Sequence, residues 1–354
     1  MEIAISEYAP GSDIIANAKV YKSTSLYKFK SQNFPEYYYV KCNICSWFQF
    51  IPATTHNSKE LINKLTNDHR DSTGHDNFIR KKAIIPKWGF AVDRNKGNSK
   101  WIKRGTKIDR AGYSSELLVN ASAFDKSKEI EILFENGLFN IQYANGYDVC
   151  RINEGRKFQD SNRNGFKVCL KCGQVIKERD FSKTHKTPFG GNCDVKNQEI
   201  NNYSLLSIFD TDLIKISIRE CPSIPLSVNS QYLKKSFWRT SLYAFIEASA
   251  KVLEVDRNDL DGVSKLHSND EFADIIILDS VSGGAGHIAR LFGKGGENPE
   301  TLFKEILAEV KNVLNCSECI AACYSCLFHY SNQSVQHSLN RIPVLEWINK
   351  IIHE

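Results

Sequence analysis

The stretch NCSECIAACYSC places four cysteines, Cys316, Cys319, Cys323 and Cys326, within eleven residues. A C-x2-C-x3-C-x2-C array is too dense to serve packing alone. Its thiols can pair as disulfides, ligate an iron–sulfur cluster or hold one zinc ion. Bacterial ferredoxins space the first three cysteines two apart and send the fourth to another cluster. Zinc ribbons separate their two pairs by a long spacer. The short middle gap fits neither pattern cleanly. A helical turn between the pairs would fold both onto one ion, because residues three and four apart share a helix face. On this reading the array is a four-thiolate zinc site, with a four-iron cluster as the alternative.

Two further groups carry the same chemistry. Cys42, Cys45, His69 and His75 follow C-x2-C-x23-H-x5-H, a donor set that zinc takes in tetrahedral structural sites. Cys169 and Cys172 form a knuckle closed by Gly173, and His185 and Cys193 complete a set of three thiolates and one imidazole, with Cys150 as an alternative fourth ligand. Three zinc ions are therefore expected. Each group supplies four protein ligands and leaves no open position for water or substrate, so the sites are expected to be structural and not catalytic. Eleven cysteines is an odd number, which argues against a full disulfide framework.

The N-terminus MEIAISEYAPG lacks the basic and apolar regions of a signal peptide, and no run of eighteen apolar residues exists. The expectation is a cytoplasmic chain with no membrane contact, in a compartment that disfavours disulfides.

A glycine-rich turn, LDSVSGGAGHIARLF, joins an apolar strand to a helix. Gly283, Gly284 and Gly286 with His287 could contact a phosphate through free amides at the helix start. The pattern matches neither of the common nucleotide-binding glycine motifs. Asp279 and His287 flank the turn, so a nuclease or phosphodiesterase using them as acid and base is the catalytic alternative.

Charge is uneven. Residues 80–110 hold eleven basic residues against Asp93 and Asp109, a local balance of +9 in a chain of net +5. Lys81, Lys82, Lys87, Arg94, Lys96, Lys100, Trp101, Lys103, Arg104, Lys107 and Arg110 are the candidate nucleic-acid contacts, with Trp88, Phe90 and Trp101 interleaved for base stacking.

These groups need elements to hold them. KVYKSTSLYKF and PEYYYVKCNICSWFQFIP read as strands, the latter as two strands around a cysteine turn. SKELINKLTNDH reads as a helix capped by Ser58, with His69 on its inward face. EIEILFENG and LFNIQYANG read as a hairpin through Asn136-Gly137, and DLIKISI and ADIIILDS as further strands. SFWRTSLYAFIEASAKVLEV, NPETLFKEILAEVKNVL and IPVLEWINKII read as helices, the second with Pro299 in its first turn. The expected fold is mixed α+β and α/β. It has a zinc module at 1–80, a basic strand-rich region with the second zinc site at 81–205, and a C-terminal α/β domain with the four-cysteine site at 206–354.

SEYAPGSDIIANAKVYKS, PKWGFAVD, LDSVSGGAGHIARL and CSECIAACYSCLFHYSNQSVQHSLNR occur in this order from about residue 6 to about residue 342. In this the chain resembles the zinc-binding family shared by DrmB of the DISARM anti-phage system and the C-terminal part of MrfA-like DEAD/H-box helicases. The C-terminal motifs are the specific ones. The resemblance implies that the four clustered cysteines bind metal. It also implies DNA binding, a role in phage defence or DNA repair, and a superfamily 2 helicase as partner. The sequence has no Walker A motif and no DEAD/H box, so that helicase is expected to be separately encoded, with this chain a non-catalytic accessory subunit. An adaptor that binds only protein is the other alternative. No small-molecule substrate is expected.

Overall fold

The computed structural model describes residues 2–29, 32–45, 47–92, 100–101, 115–119, 128–134, 137–155, 165–176, 184–195, 200–267 and 272–352. In chain order the first elements are α1 (Glu2–Glu7), β1 (Asp13–Ala16), β2 (Lys19–Leu26), β3 (Glu36–Cys42), β4 (Phe48–Pro52), α2 (Ser58–Thr73), β5 (Phe78–Ile84), β6 (Phe90–Val92), β7 (Lys100–Trp101), β8 (Glu116–Val119) and β9 (Lys128–Phe134). Then come β10 (Gly137–Asn153), β11 (Phe166–Cys169), β12 (Thr184–Lys186), β13 (Asn192–Asp194), β14 (Ile200–Glu220), α3 (Gln231–Leu253), β15 (Leu260–Leu266), β16 (Ala273–Asp279), α4 (His287–Leu291), α5 (Pro299–Leu314) and α6 (Arg341–Ile351).

The architecture is mixed α+β, organised on the 21-residue strand β14. Side chains alternate across a strand, so its apolar residues divide between two faces. Ile214, Ile216 and Ile218 enter the main core under the helices, while Leu213 and Phe209 enter a second cluster behind the sheet. β16 repeats the division, with Ile275 and Ile277 on the helix side and Ile276 and Leu278 behind. Burial on both faces is why ADIIILD reads as a continuous apolar run. That signature is typical of parallel strands, yet β16 pairs antiparallel with both β14 and β15. Along its length β14 also pairs antiparallel with β10 and β11, and parallel with β5 at Ser204–Ala83 and Leu205–Ile84. β3 and β4 extend the same sheet beyond β5. A smaller sheet holds β1, β2 and β6, with β7 also against β2.

Helices α3, α5 and α6 cover one face of the large sheet. Trp238 and Trp347, both fully buried, meet edge-to-face at 5.4 Å. Trp347 Nε1 donates to Pro222 O at 2.8 Å, which satisfies its polar atom inside the core. α5 begins as its sequence requires, with Asn298 accepting from Glu300 N and Thr301 N and Pro299 in the first turn. α2 departs from expectation. Asn57 and not Ser58 holds the cap position, with φ 54 and no side-chain cap bond, and Ser58 is already helical and buried. No described helix is long and apolar enough to cross a membrane.

Candidate metal centres

The first cluster sits where β3, β4 and α2 converge. Cys42 ends β3, Cys45 lies in the turn to β4, and Cys42 N donates to Trp47 O at 2.8 Å to close that turn. His69 comes from α2, just before its last turn. Gly74 then adopts φ 73 as the C-cap, which reverses the chain and returns His75 to the cysteines. Cys42 Sγ lies 3.6 Å from His75 Nδ1, and Cys45 Sγ lies 3.3 Å from His69 Nε2. Trp47 stacks on the His69 ring at 4.5 Å, fixing its plane. The Cys45 thiol beside Cys42 and nearby amides outweigh burial and pull the Cys42 thiol down to about 4, which prepares one thiolate of the pair.

The second cluster joins the end of β11 to the β12–β13 hairpin. Gly173 N donates to Cys169 O at 2.8 Å, forming the knuckle, and His185 stands opposite Cys193 in the hairpin register. Cys172 Sγ lies 3.2 Å from His185 Nε2. The Cys172 thiol holds Cys169 down at about 5. Cys150 lies elsewhere: it is buried in β10 beside Tyr39 and Phe48, where burial raises its thiol well above the ordinary value. It is Cys193, and not Cys150, that gathers with Cys169, Cys172 and His185. Cys221 is likewise pushed up by burial, to about 12, against the main core.

The third cluster follows α5. Sγ separations are 3.8 Å for Cys316–Cys323, 3.7 Å for Cys319–Cys326 and 3.8 Å for Cys323–Cys326. The expected helical turn between the pairs is absent; bends connect Cys319 to Cys323, and a tight turn begins only at Cys323, whose carbonyl accepts from Leu327 N and Phe328 N. Arg341, the first residue of α6, donates to Leu314 O at 3.0 Å and Cys319 O at 2.6 Å, so the cluster ties α5 to α6. Sequence reading gave no signal for Arg341, because only the folded loop turns those carbonyls toward it.

The donor sets fit zinc. With Zn–S at about 2.3 Å and Zn–N at about 2.0–2.1 Å, a tetrahedron sets S···S at about 3.8 Å and S···N at about 3.5 Å. In every cluster the four ligand atoms lie within 4.8 Å of one another, a spread that one ion spans. A four-iron cluster gives each thiolate its own iron and spreads the sulfurs over separate corners, so the third cluster favours a single ion.

The glycine turn after β16 takes a different role. Asp279 has no exposed surface, and its carboxylate accepts from Ala285 N at 2.9 Å, Gly286 N at 2.9 Å and Ile288 N at 3.2 Å. Gly283 N and Gly284 N donate to Asp210 O and Val281 O. The amides a phosphate would need are taken from within the chain. His287 Nε2 faces Asp259 Oδ2 at 3.9 Å, and no Asp279–His287 acid–base pair forms.

Among the basic candidates, Lys81 Nζ lies 3.4 Å from the buried Glu154, and Lys82 lies over the Tyr38 ring at 5.5 Å. Lys87 is exposed. Lys100 and Trp101 pair through their backbones with Val20 and Lys19. Arg94, Lys96, Lys103, Arg104, Lys107 and Arg110 lie outside the described residues.

Residues 242–327, which include all four cysteines of the third cluster, match the family profile of the MrfA Zn-binding domain. The chain is 22% identical over 368 residues to Druantia protein DruE of Escherichia coli (strain UMEA 4076-1), covering 96% of this chain. It spans only 18% of that relative's length. Among solved structures it is similar to the DUF1998 helicase MrfA bound to DNA, with 12% identity, a TM-score of 0.37, and coverage of 68% of this chain and 25% of that one. The same helicase bound to DNA and AMPPNP matches with 13% identity, a TM-score of 0.22, and coverage of 63% and 22%.

Proposed function

We propose that the chain, whose residues 242–327 match the MrfA Zn-binding domain, is a non-catalytic, zinc-stabilised DNA-binding subunit. It works with a superfamily 2 helicase in phage defence or DNA repair. The observation that carries the reading is the closed donor set at Cys316, Cys319, Cys323 and Cys326 inside the matched segment. Four protein ligands leave no position for an activated water, so such an ion stabilises a fold and does not hydrolyse a substrate. One zinc ion falls to each of the segments 1–80, 81–205 and 206–354. The DNA contact rests on the +9 balance of residues 80–110, which suits a polyanion. The subunit acts in the cytoplasm, without a membrane contact or a small-molecule substrate.

Binding of labelled single-stranded DNA across a salt series tests this. Changing Lys100, Lys103 and Arg104 together to Gln is expected to weaken binding and reduce the salt slope by about 2, since each lost phosphate contact on a single strand removes about 0.7. Unchanged affinity and slope remove that segment from the interface. The purified chain is expected to leave DNA uncut with Mg²⁺ or Mn²⁺ and to stimulate unwinding by its partner helicase. Metal-dependent cleavage by the chain alone contradicts the non-catalytic reading.

A further inference from the structure

A row of aromatic rings runs across the second metal cluster and the small sheet. Phe189, at the tip of the β12–β13 hairpin, meets Tyr27 edge-to-face at 5.6 Å. Tyr27 meets Phe29 at 5.2 Å, and Phe29 meets Trp88 at 5.8 Å, again edge-to-face. Such contacts hold rings in fixed orientations. Phe29 is 47% exposed and Phe189 49% exposed. Beyond Trp88 the surface continues into a cleft of about 480 Å³ lined by Tyr8, Lys87, Trp88 and Phe90.

The row is built into the backbone. Tyr27 N donates to Gly89 O, and Leu26 N donates to Gly173 O, each at 2.9 Å, so both the Trp88 loop and the metal knuckle are pinned to the end of β2. The His185–Cys193 pair closes the hairpin that carries Phe189. Phe29 and Phe189 thus present exposed ring surface beside the partly buried Tyr27 and Trp88, and a contiguous exposed apolar patch marks a binding surface.

Charge identifies the occupant. The basic segment of residues 80–110 adjoins this surface through the exposed Lys87 beside Trp88, and β6, which follows, pairs with the same end of β2. Rings beside concentrated positive charge suit a polyanion with exposed flat faces. A duplex keeps its bases stacked inward, whereas a single strand presents them.

We propose that Phe189, Tyr27, Phe29 and Trp88 form a base-stacking platform for single-stranded nucleic acid, with its outer end positioned by the second metal cluster. The proposal rests on the DNA-binding reading and names the strand form and the residues that read it.

The test is fluorescence anisotropy on the full chain with three probes: labelled oligothymidylate, the same strand with abasic sites, and a duplex. Changing Phe29 and Phe189 together to Ala is expected to weaken oligothymidylate binding on the order of tenfold per ring, with an unchanged salt slope. The abasic strand is expected to bind wild type weakly and to lose nothing further in the variant. Phe189→Leu keeps the apolar bulk without the aromatic ring and is expected to weaken binding in the same direction, which guards against a folding artefact. Wild-type affinity in both variants, equal losses on normal and abasic strands, or equal binding of strand and duplex overturns the platform while leaving DNA binding intact. Failure of wild type to bind any of the three probes overturns both.

Discussion

The Oδ2 atom of Asp279 accepts the amide proton of Gly286 at 2.9 Å inside a fully buried pocket. The turn thus carries its own anion, held by three amides. Asp279→Ala strips these amides of their acceptor, and hydrogen bonds to a charged group contribute enough that a loss of about 3 kcal/mol is expected. Urea unfolding reads the loss. Single-strand affinity of the folded variant is expected to match wild type. A variant as stable as wild type contradicts the capping role.

A second buried carboxylate locks the sheet. Glu154 accepts from Tyr39 Oη at 2.7 Å and Lys41 Nζ at 2.8 Å, joining β3 to the end of β10. Burial acts to raise its pKa, but Lys41, Tyr39 and Lys81 outweigh it and hold the group below the ordinary value. The folded pKa is lowered, so its contribution is present above the unfolded value and disappears as pH falls through the folded one. Glu154→Gln is expected to cost about 3 kcal/mol at neutral pH. The gap between wild type and variant in urea unfolding is expected to narrow as pH falls below about 4.3. A gap independent of pH in that window contradicts the assignment.

Gly173 and Gly283 both have positive φ, at 81 and 88, but only Gly173 is crowded. A Cβ there would lie 2.2 Å from Leu26 O, whereas one at Gly283 meets nothing within 4 Å. Gly283→Ala is expected to cost only the left-handed strain of about 1–2 kcal/mol. Gly173→Ala carries that strain and also forces the knuckle away from β2. Limited proteolysis is expected to cut near the second cluster in Gly173→Ala alone. Equal resistance in both variants contradicts the docking.

Arg341 holds the third cluster from outside through Leu314 O and Cys319 O. Arg341→Ala is expected to retain four thiolates and their ion, cost about 2 kcal/mol from two charge-assisted bonds, and release zinc faster to a colorimetric chelator. Unchanged release kinetics contradict its clamping role.

The parts legible in sequence are those that depend on local spacing. Two cysteines on one turn, or a histidine four residues after Leu65 on an amphipathic helix, are set by backbone period alone, and the structure brings these donors together. Long-range pairing left no such trace. Nothing in INNYSLLSIFDTDLIKISIRE says that one strand meets β5, β10, β11 and β16. Asp279 before a glycine turn reads alike as acid and as cap, and only its burial separates the two. Lys81 and Lys82 read as free positive charge because Glu154 and Tyr38, which engage them, come from other strands.

Elemental analysis of the purified full chain tests the central claim, that closed zinc sites hold a non-catalytic scaffold together. The expected result is three zinc atoms per chain, one for each of the three clusters, and no iron. Iron with the visible absorption of an iron–sulfur cluster, or fewer than three zinc atoms in fully folded protein, would contradict it.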